Sequence, residues 1–191
     1  MRKKIIIVGG VAGGASAAAR LRRLDENLEI IILEKGDYIS FANCGLPYYI
    51  GNVIPNRDSL FLQTPTMLKN RLNIQARVAH EVIEIDKVHK TITVKDLKTQ
   101  TTYLETYDKL ILSPGASPLL PKISGLSEAK NLFTLRNVPD TDKIKTFINI
   151  NQPKTATIIG GGFIGLEMAE NLKHLGLAVT IIEMAKQILP P

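Results

Sequence analysis

Lys4-Ile5-Ile6-Ile7-Val8 runs straight into Gly9-Gly10-Val11-Ala12-Gly13-Gly14, and the reading of this junction decides the fold. A short run that is almost wholly apolar marks a central parallel strand buried on both faces. An Ala-rich helical stretch follows the glycines to about Leu24, then a second apolar strand, Glu29 to Leu33, ends at Glu34. Strand, glycine turn, helix, strand and acid together make a dinucleotide-binding βαβ unit. The glycines let the backbone approach a pyrophosphate at the helix N-terminus, where free amide donors and the helix dipole favour negative charge. Glu34, twenty residues after Gly14, is placed to accept hydrogen bonds from ribose hydroxyls.

The pattern recurs near the end of the chain. Thr157-Ile158-Ile159 leads into Gly160-Gly161-Gly162-Phe163-Ile164-Gly165, a helix runs to about Leu175, and Val179 to Ile182 is followed by Glu183. This copy fits G-x-G-x-x-G fully, whereas Val11 takes the place of the middle glycine in the first. Two such units predict an α/β protein with two Rossmann-like nucleotide-binding units. A carboxylate at Glu183 hydrogen-bonds a free 2′-hydroxyl and repels a 2′-phosphate, so the second site is expected to take NADH ahead of NADPH. Lys186 lies near enough to soften that preference.

Between the units, Val82 to Asp86, Thr91 to Lys95 and Thr102 to Tyr107 alternate and are rich in β-branched residues, which predicts a small antiparallel meander. Lys109-Leu110-Ile111-Leu112-Ser113 reads as another buried strand, and Pro114-Gly115-Ala116-Ser117-Pro118 turns it sharply near the first nucleotide site. Pro118 to Gly125 reads as a crossing linker, Pro139 to Ile148 as a short helix, and Asn151 to Lys154 as the entry to the second unit. The domains expected are residues 1–118 with the meander at about 80–107, a linker with a helix over 119–153, and the start of a second nucleotide domain over 154–191. No signal peptide, low-complexity tract or membrane-length apolar stretch is present, which leads to the expectation of a soluble, cytoplasmic protein without a membrane partner.

Cys44 is the single cysteine among 191 residues. The chain therefore forms no internal disulfide, Cys-x-x-Cys couple or cysteine-rich zinc site, and no metal is expected. Any thiol chemistry joins Cys44 to an outside sulfur or to oxygen. A position at the start of a short helix favours the attacking thiolate. The formal charge of +6 and pI near 9.4 suit anionic ligands. With 5% aromatic residues and no mixed aromatic and basic stripe, no nucleic-acid partner is expected. His80, His89 and His174 read as surface or packing residues.

Ser40-Phe41-Ala42-Asn43-Cys44-Gly45-Leu46-Pro47-Tyr48-Tyr49, set between the two units, carries a family resemblance. The chain resembles the flavin- and pyridine-nucleotide-dependent disulfide oxidoreductases over its whole length. Within them it is similar to the single-cysteine branch of coenzyme A disulfide reductases, NADH oxidases, NADH peroxidases and persulfide reductases. Asn43 to Tyr49 looks most like the first of these. Oxidases and peroxidases of the branch carry a histidine where this chain has Ala12.

The resemblance implies FAD held by Gly9, Gly10, Val11, Ala12, Gly13, Gly14, Glu34, Lys35, Val78, Ala79, Ser113, Pro114, Gly115 and Arg136. It implies NADH, with NADPH as the alternative, held by Gly160, Gly161, Gly162, Phe163, Ile164, Gly165 and Glu183. Glu167 falls near the flavin and nicotinamide rings by the same resemblance, and a solvated helix carboxylate is its other reading. Cys44 is the implied redox residue, and coenzyme A or its disulfide is the implied partner. Ser16, Arg20, Arg23, Ser40 and Asn43 are candidate coenzyme A contacts. Arg20 and Arg23 share a helix face with Ser16 and suit phosphates, with a solvated basic face as the alternative. Cysteine cycling through sulfenic acid, and nucleotide binding without turnover, remain open as other readings. The family's closing flavin motif and dimerisation domain lie outside the 191 residues. The expectation is thus a fragment of a homodimeric enzyme, with an exposed sheet edge, reduced stability and little or no turnover alone.

Overall fold

The computed structural model describes residues 2–189, and the chain packs as two compact units. One unit ends at Phe41, resumes at Phe61 and runs to Ala116; the other takes Ala42–Leu60 and resumes at Ser117. The sequence reading places its boundaries along the chain at 118 and 153, whereas packing assigns the Cys44 segment to the same unit as the second glycine loop.

The first unit is built on a parallel sheet of β1 (Lys4–Val8), β2 (Glu29–Glu34), β3 (Gln75–Val78) and β7 (Lys109–Leu112), in the order β3-β2-β1-β7. Isoleucines on both sides of β1 and β2 explain its two-sided burial. Ile5, Ile7, Ile30 and Ile32 pack with Ala18 of α1 (Ala12–Leu24) and Leu68 of α3 (Pro65–Leu72). Ile6, Ile31 and Leu33 face the other way, onto Ile92 and Val94 of the meander formed by β4 (His80–Asp86), β5 (Thr91–Asp96) and β6 (Thr102–Thr106). Each fully buried isoleucine contributes about 2 kcal/mol of transfer free energy, so these strands dominate the core. Lys4 on β1 and Arg77 on β3 both bind Glu105 on β6, and Arg77 Nη1 also donates to the Tyr103 hydroxyl at 3.0 Å. Arg22 Nε and Nη2 donate to the carbonyls of Leu72 at 2.7 Å and Asn73 at 3.0 Å, tying the end of α1 to the end of α3. Such carbonyls lack intrahelical donors, so a cation suits them.

The meander and both βαβ units stand as the sequence predicts. Three features differ. β7 is not a buried strand: among the described residues it pairs with β1 alone, at the sheet's margin, and Leu112 is 57% exposed. α4 runs from Val138 to Asn151, longer than the predicted segment, because Asn137 caps its start and Gln152 ends it in a left-handed conformation at φ 44°. α3 and β3 went without a sequence assignment.

The second unit holds a one-turn 3-10 helix at Asn43–Gly45, then α2 (Leu46–Ile50) and α4. The two-stranded parallel sheet of β8 (Thr155–Ile159) and β9 (Ala178–Ile182) is linked by α5 (Phe163–His174). Ile50, Ile144, Met168, Leu172 and Leu177 form its core, so α2 is seated on α4 and α5. Among the described residues no helix is long and apolar enough to cross a membrane.

Candidate functional site

Each glycine loop is shaped by its own backbone. Gly9 has φ +92° and Gly160 φ +107°, values that L side chains rarely adopt. A Cβ on Gly14 would strike the Gly9 carbonyl, and one on Gly165 would strike the Gly160 carbonyl. These glycines let each helix start directly beneath its strand end. Gly162 is different: its φ of −78° is open to any residue, and a Cβ there would meet nothing within 4 Å. The protein itself does not require glycine at that point, and the room it leaves fits a ligand approaching the backbone.

α1 and α5 both begin without a side-chain cap and without an acid in the first turn, so their leading amides are left to an outside anion. Those donors fit a pyrophosphate at both helix starts. The acids that follow are bound alike. Glu34 Oε2 accepts the Gly10 amide at 2.7 Å and its Oε1 accepts the Gly36 amide at 2.7 Å. Glu183 Oε2 accepts the Gly161 amide at 2.6 Å and its Oε1 accepts the Ala185 amide at 2.7 Å. Backbone donation from Ala185 and then Gly161 holds the Glu183 carboxyl below the ordinary glutamate range. Both acids thus latch their own loops, a role the sequence did not disclose. Each oxygen keeps a second lone pair for a ribose hydroxyl.

The first unit collects most of its predicted residues at the C-terminal ends of its strands. Val78 pairs with Glu34, and Ala79 follows at φ 58°, its amide donating to the Gly36 carbonyl at 3.0 Å. Ser113 donates its amide to the Val8 carbonyl at 2.7 Å, beside Gly9, and leads into Pro114 and Gly115. Lys35 is paired with Glu81 at 2.7 Å on the meander. Ser40 takes φ 46°, donates its amide to the Gly10 carbonyl at 2.9 Å and accepts the Leu62 amide at 2.9 Å. Val11 and Ala12 form the N-cap and first residue of α1. Ser16, Arg20 and Arg23 lie on the exposed face of that helix, and among the described residues neither arginine is bonded to another side chain.

In the second unit a cavity of about 420 Å³ gathers residues from three separate stretches. Asn43, Cys44, Leu46 and Pro47 come from the redox segment, Leu135 and Arg136 from the approach to α4, and Phe163, Ile164 and Glu167 from α5. The Cys44 thiol is exposed and free. Asn43 Oδ1 is buried with no hydrogen-bond partner. An unsatisfied buried acceptor is unfavourable, so this atom fits a donor brought by a ligand. Arg136 is set by a reciprocal cap: its amide donates to Asp140 Oδ2 at 3.1 Å, while Asn137 Oδ1 accepts the Asp140 amide at 2.9 Å. Sequence reasoning missed Leu46, Pro47 and Leu135 as lining residues. Proline at the start of α2 was a legible signal for the first pair, and nothing local marks Leu135.

The chain is similar to known proteins over nearly its whole length. Residues 3–191 match the family model described as pyridine nucleotide-disulphide oxidoreductase. The coenzyme A disulfide reductase of Staphylococcus epidermidis is 47% identical over 185 residues, which is 97% of this chain and 41% of that protein. The crystal structure of reduced Bacillus anthracis CoADR-RHD superposes with a TM-score of 0.97 at 60% identity, covering 100% of this chain and 34% of that one. An NAD-dependent persulfide reductase from A. fulgidus gives a TM-score of 0.91 at 36% identity, covering 98% of this chain and 34% of that one. The chain therefore spans about two-fifths of the length of the curated relatives it matches. Two glycine loops latched by acids, a lone thiol beside the second, and a match over nearly every residue place the chain in the pyridine nucleotide-disulphide oxidoreductase family.

Proposed function

We propose that this chain supplies the nucleotide grips and the attacking thiol of an NADH- and FAD-dependent coenzyme A disulfide reductase. The observation that carries the reading is the exposed Cys44 thiol at a cavity shared with Glu167, Arg136 and the unsatisfied Asn43 Oδ1. The names borne by the staphylococcal relatives support the choice of disulfide.

The Gly9–Gly14 loop, Glu34 and the Ser113–Gly115 turn would hold FAD, and the Gly160–Gly165 loop and Glu183 would hold NADH. Bound flavin supplies two-electron transfer between nicotinamide and sulfur. The thiol step belongs to the chain itself. Cys44, as thiolate, attacks one sulfur of coenzyme A disulfide; the Cys44–sulfur bond forms, the original S–S bond breaks, and one coenzyme A thiolate leaves. The unsatisfied Oδ1 of Asn43 orients the incoming group by accepting one of its donors. On the first unit, the exposed guanidinium forks of Arg20 and Arg23 suit phosphates.

Incubating the chain with coenzyme A disulfide and weighing it intact tests this. One coenzyme A adduct, mapped to Cys44, removed by dithiothreitol and absent in Cys44→Ser, is expected. A folded chain whose thiol stays unmodified sinks the reading. A second reading, persulfide reduction, is favoured by the neighbour from A. fulgidus. It predicts faster transfer of a single sulfur atom to Cys44 from a small persulfide than formation of the coenzyme A adduct.

A further inference from the structure

α2 has five residues, too few to persist alone in water, yet it continues without a break from the turn that carries Cys44. Its position must be set from outside. The carbonyls of its last turn account for how. Pro47 and Tyr48 accept the amides of Gly51 at 2.9 Å and Ile54 at 3.0 Å, and Tyr49 accepts the Lys145 ammonium of α4 at 2.5 Å. Lys145 Nζ also donates to Asn52 Oδ1 at 2.6 Å and lies 4.1 Å from the centroid of the Tyr49 ring. Among the described residues no carboxylate pairs with this lysine. Its partners are a helix C-terminus, an amide oxygen and an aromatic face, all on the segment after Cys44.

Two neighbouring contacts close the same grip. Asp142, three residues earlier on α4, holds Arg57 with two hydrogen bonds of 2.9 and 2.7 Å. On the other side Asn171 of α5, 2% exposed, packs so closely on Gly51 that no Cβ fits there. Burial lowers the Lys145 pKa from the ordinary lysine range.

The geometry points to Lys145 as a positioning residue that fixes the Cys44 turn by clamping the far end of α2. This rests on the reading of Cys44 as the reacting thiol. The test compares the full chain with Lys145→Met, Lys145→Gln and Lys145→Arg, by hydrogen exchange over residues 43–54 and by the rate at which iodoacetamide alkylates Cys44. The Met and Gln variants are expected to speed exchange over 43–54 about tenfold, with β1 and β2 unchanged. Their alkylation rate moves about threefold or more toward that of the urea-unfolded chain, since the thiol loses its imposed setting. Lys145→Arg restores both. Unchanged exchange overturns the clamp, and faster exchange with an unchanged alkylation rate reduces Lys145 to a helix support. A wild-type rate already equal to the unfolded chain's overturns the positioning of Cys44 altogether. If wild type takes no coenzyme A adduct while the variants shift as expected, the disulfide reading fails and the clamp stands.

Discussion

Of the three arginines within four residues of α1, Arg20 and Arg23 face solvent and Arg22 anchors the helix to the end of α3. Helical spacing alone puts Arg20 and Arg23 on one face with Ser16, and that face is exposed. Arg22, chemically the same, is turned inward and spends its donors on carbonyls of α3's end and of residues 26 and 28. Nothing local announces that partner, because Leu72 is fifty residues away. The glycines were legible for the same reason that they are sensitive. Gly14→Ala is expected to lower stability by about 1–3 kcal/mol, the range for forcing atoms into occupied space, and to weaken FAD retention. Thermal melts with and without FAD check this, and an unshifted melt would show that the Gly9 carbonyl moves aside freely. Glu183→Ala is expected to narrow the ratio of NADH to NADPH affinity about tenfold, worth ~1.4 kcal/mol, because a repelling carboxylate is gone. Paired fluorescence titrations of the two nucleotides measure the ratio, and an unaltered value would remove Glu183 from nucleotide choice.

At the scale of elements, the strands that carry their own signal were readable and those that borrow it were not. β1 and β2 are apolar runs bounded by turns, and the meander alternates. β3, Gln75-Ala76-Arg77-Val78, shows neither pattern; it is a strand because Ile31 to Glu34 offers it a ladder. α3 did carry a local start signal, Thr64 before Pro65, with the Thr64 hydroxyl accepting the Met67 amide at 3.2 Å. Thr64→Ala is expected to cost about 1 kcal/mol, as loss of an N-cap does. Chemical denaturation should show the midpoint falling with an unchanged slope; no fall would mean that Leu68 and Arg22 hold the helix without its cap. β7 was misread as buried because composition reports apolarity and says nothing about which sheet position a strand occupies.

Across the whole molecule, the cavity at Cys44 is the part least visible in the sequence, since residues 43–47, 135–136 and 163–167 meet only through the packing of α2, α4 and α5. The polar network of the first unit was equally hidden. Burial by itself raises the Glu105 carboxyl pKa, but hydrogen bonds from Lys4 and Arg77 outweigh it and hold the group below its ordinary 4.5. A depressed carboxyl stabilises the fold above its unfolded value and loses that contribution as pH falls through the folded one. Melting temperature is therefore expected to drop as pH falls below 4.5. Glu105→Gln should melt lower at neutral pH and show a flatter acid limb; an identical limb would assign the acid loss to other carboxyls. The paired latches at Glu34 and Glu183 bear on redesign. An engineer who deletes the acid to broaden cofactor choice also unties the loop proposed to meet the pyrophosphate. On the proposed reading selectivity and grip are wired to one side chain, and retuning the first while sparing the second calls for a neutral acceptor such as glutamine, which keeps one oxygen for the loop.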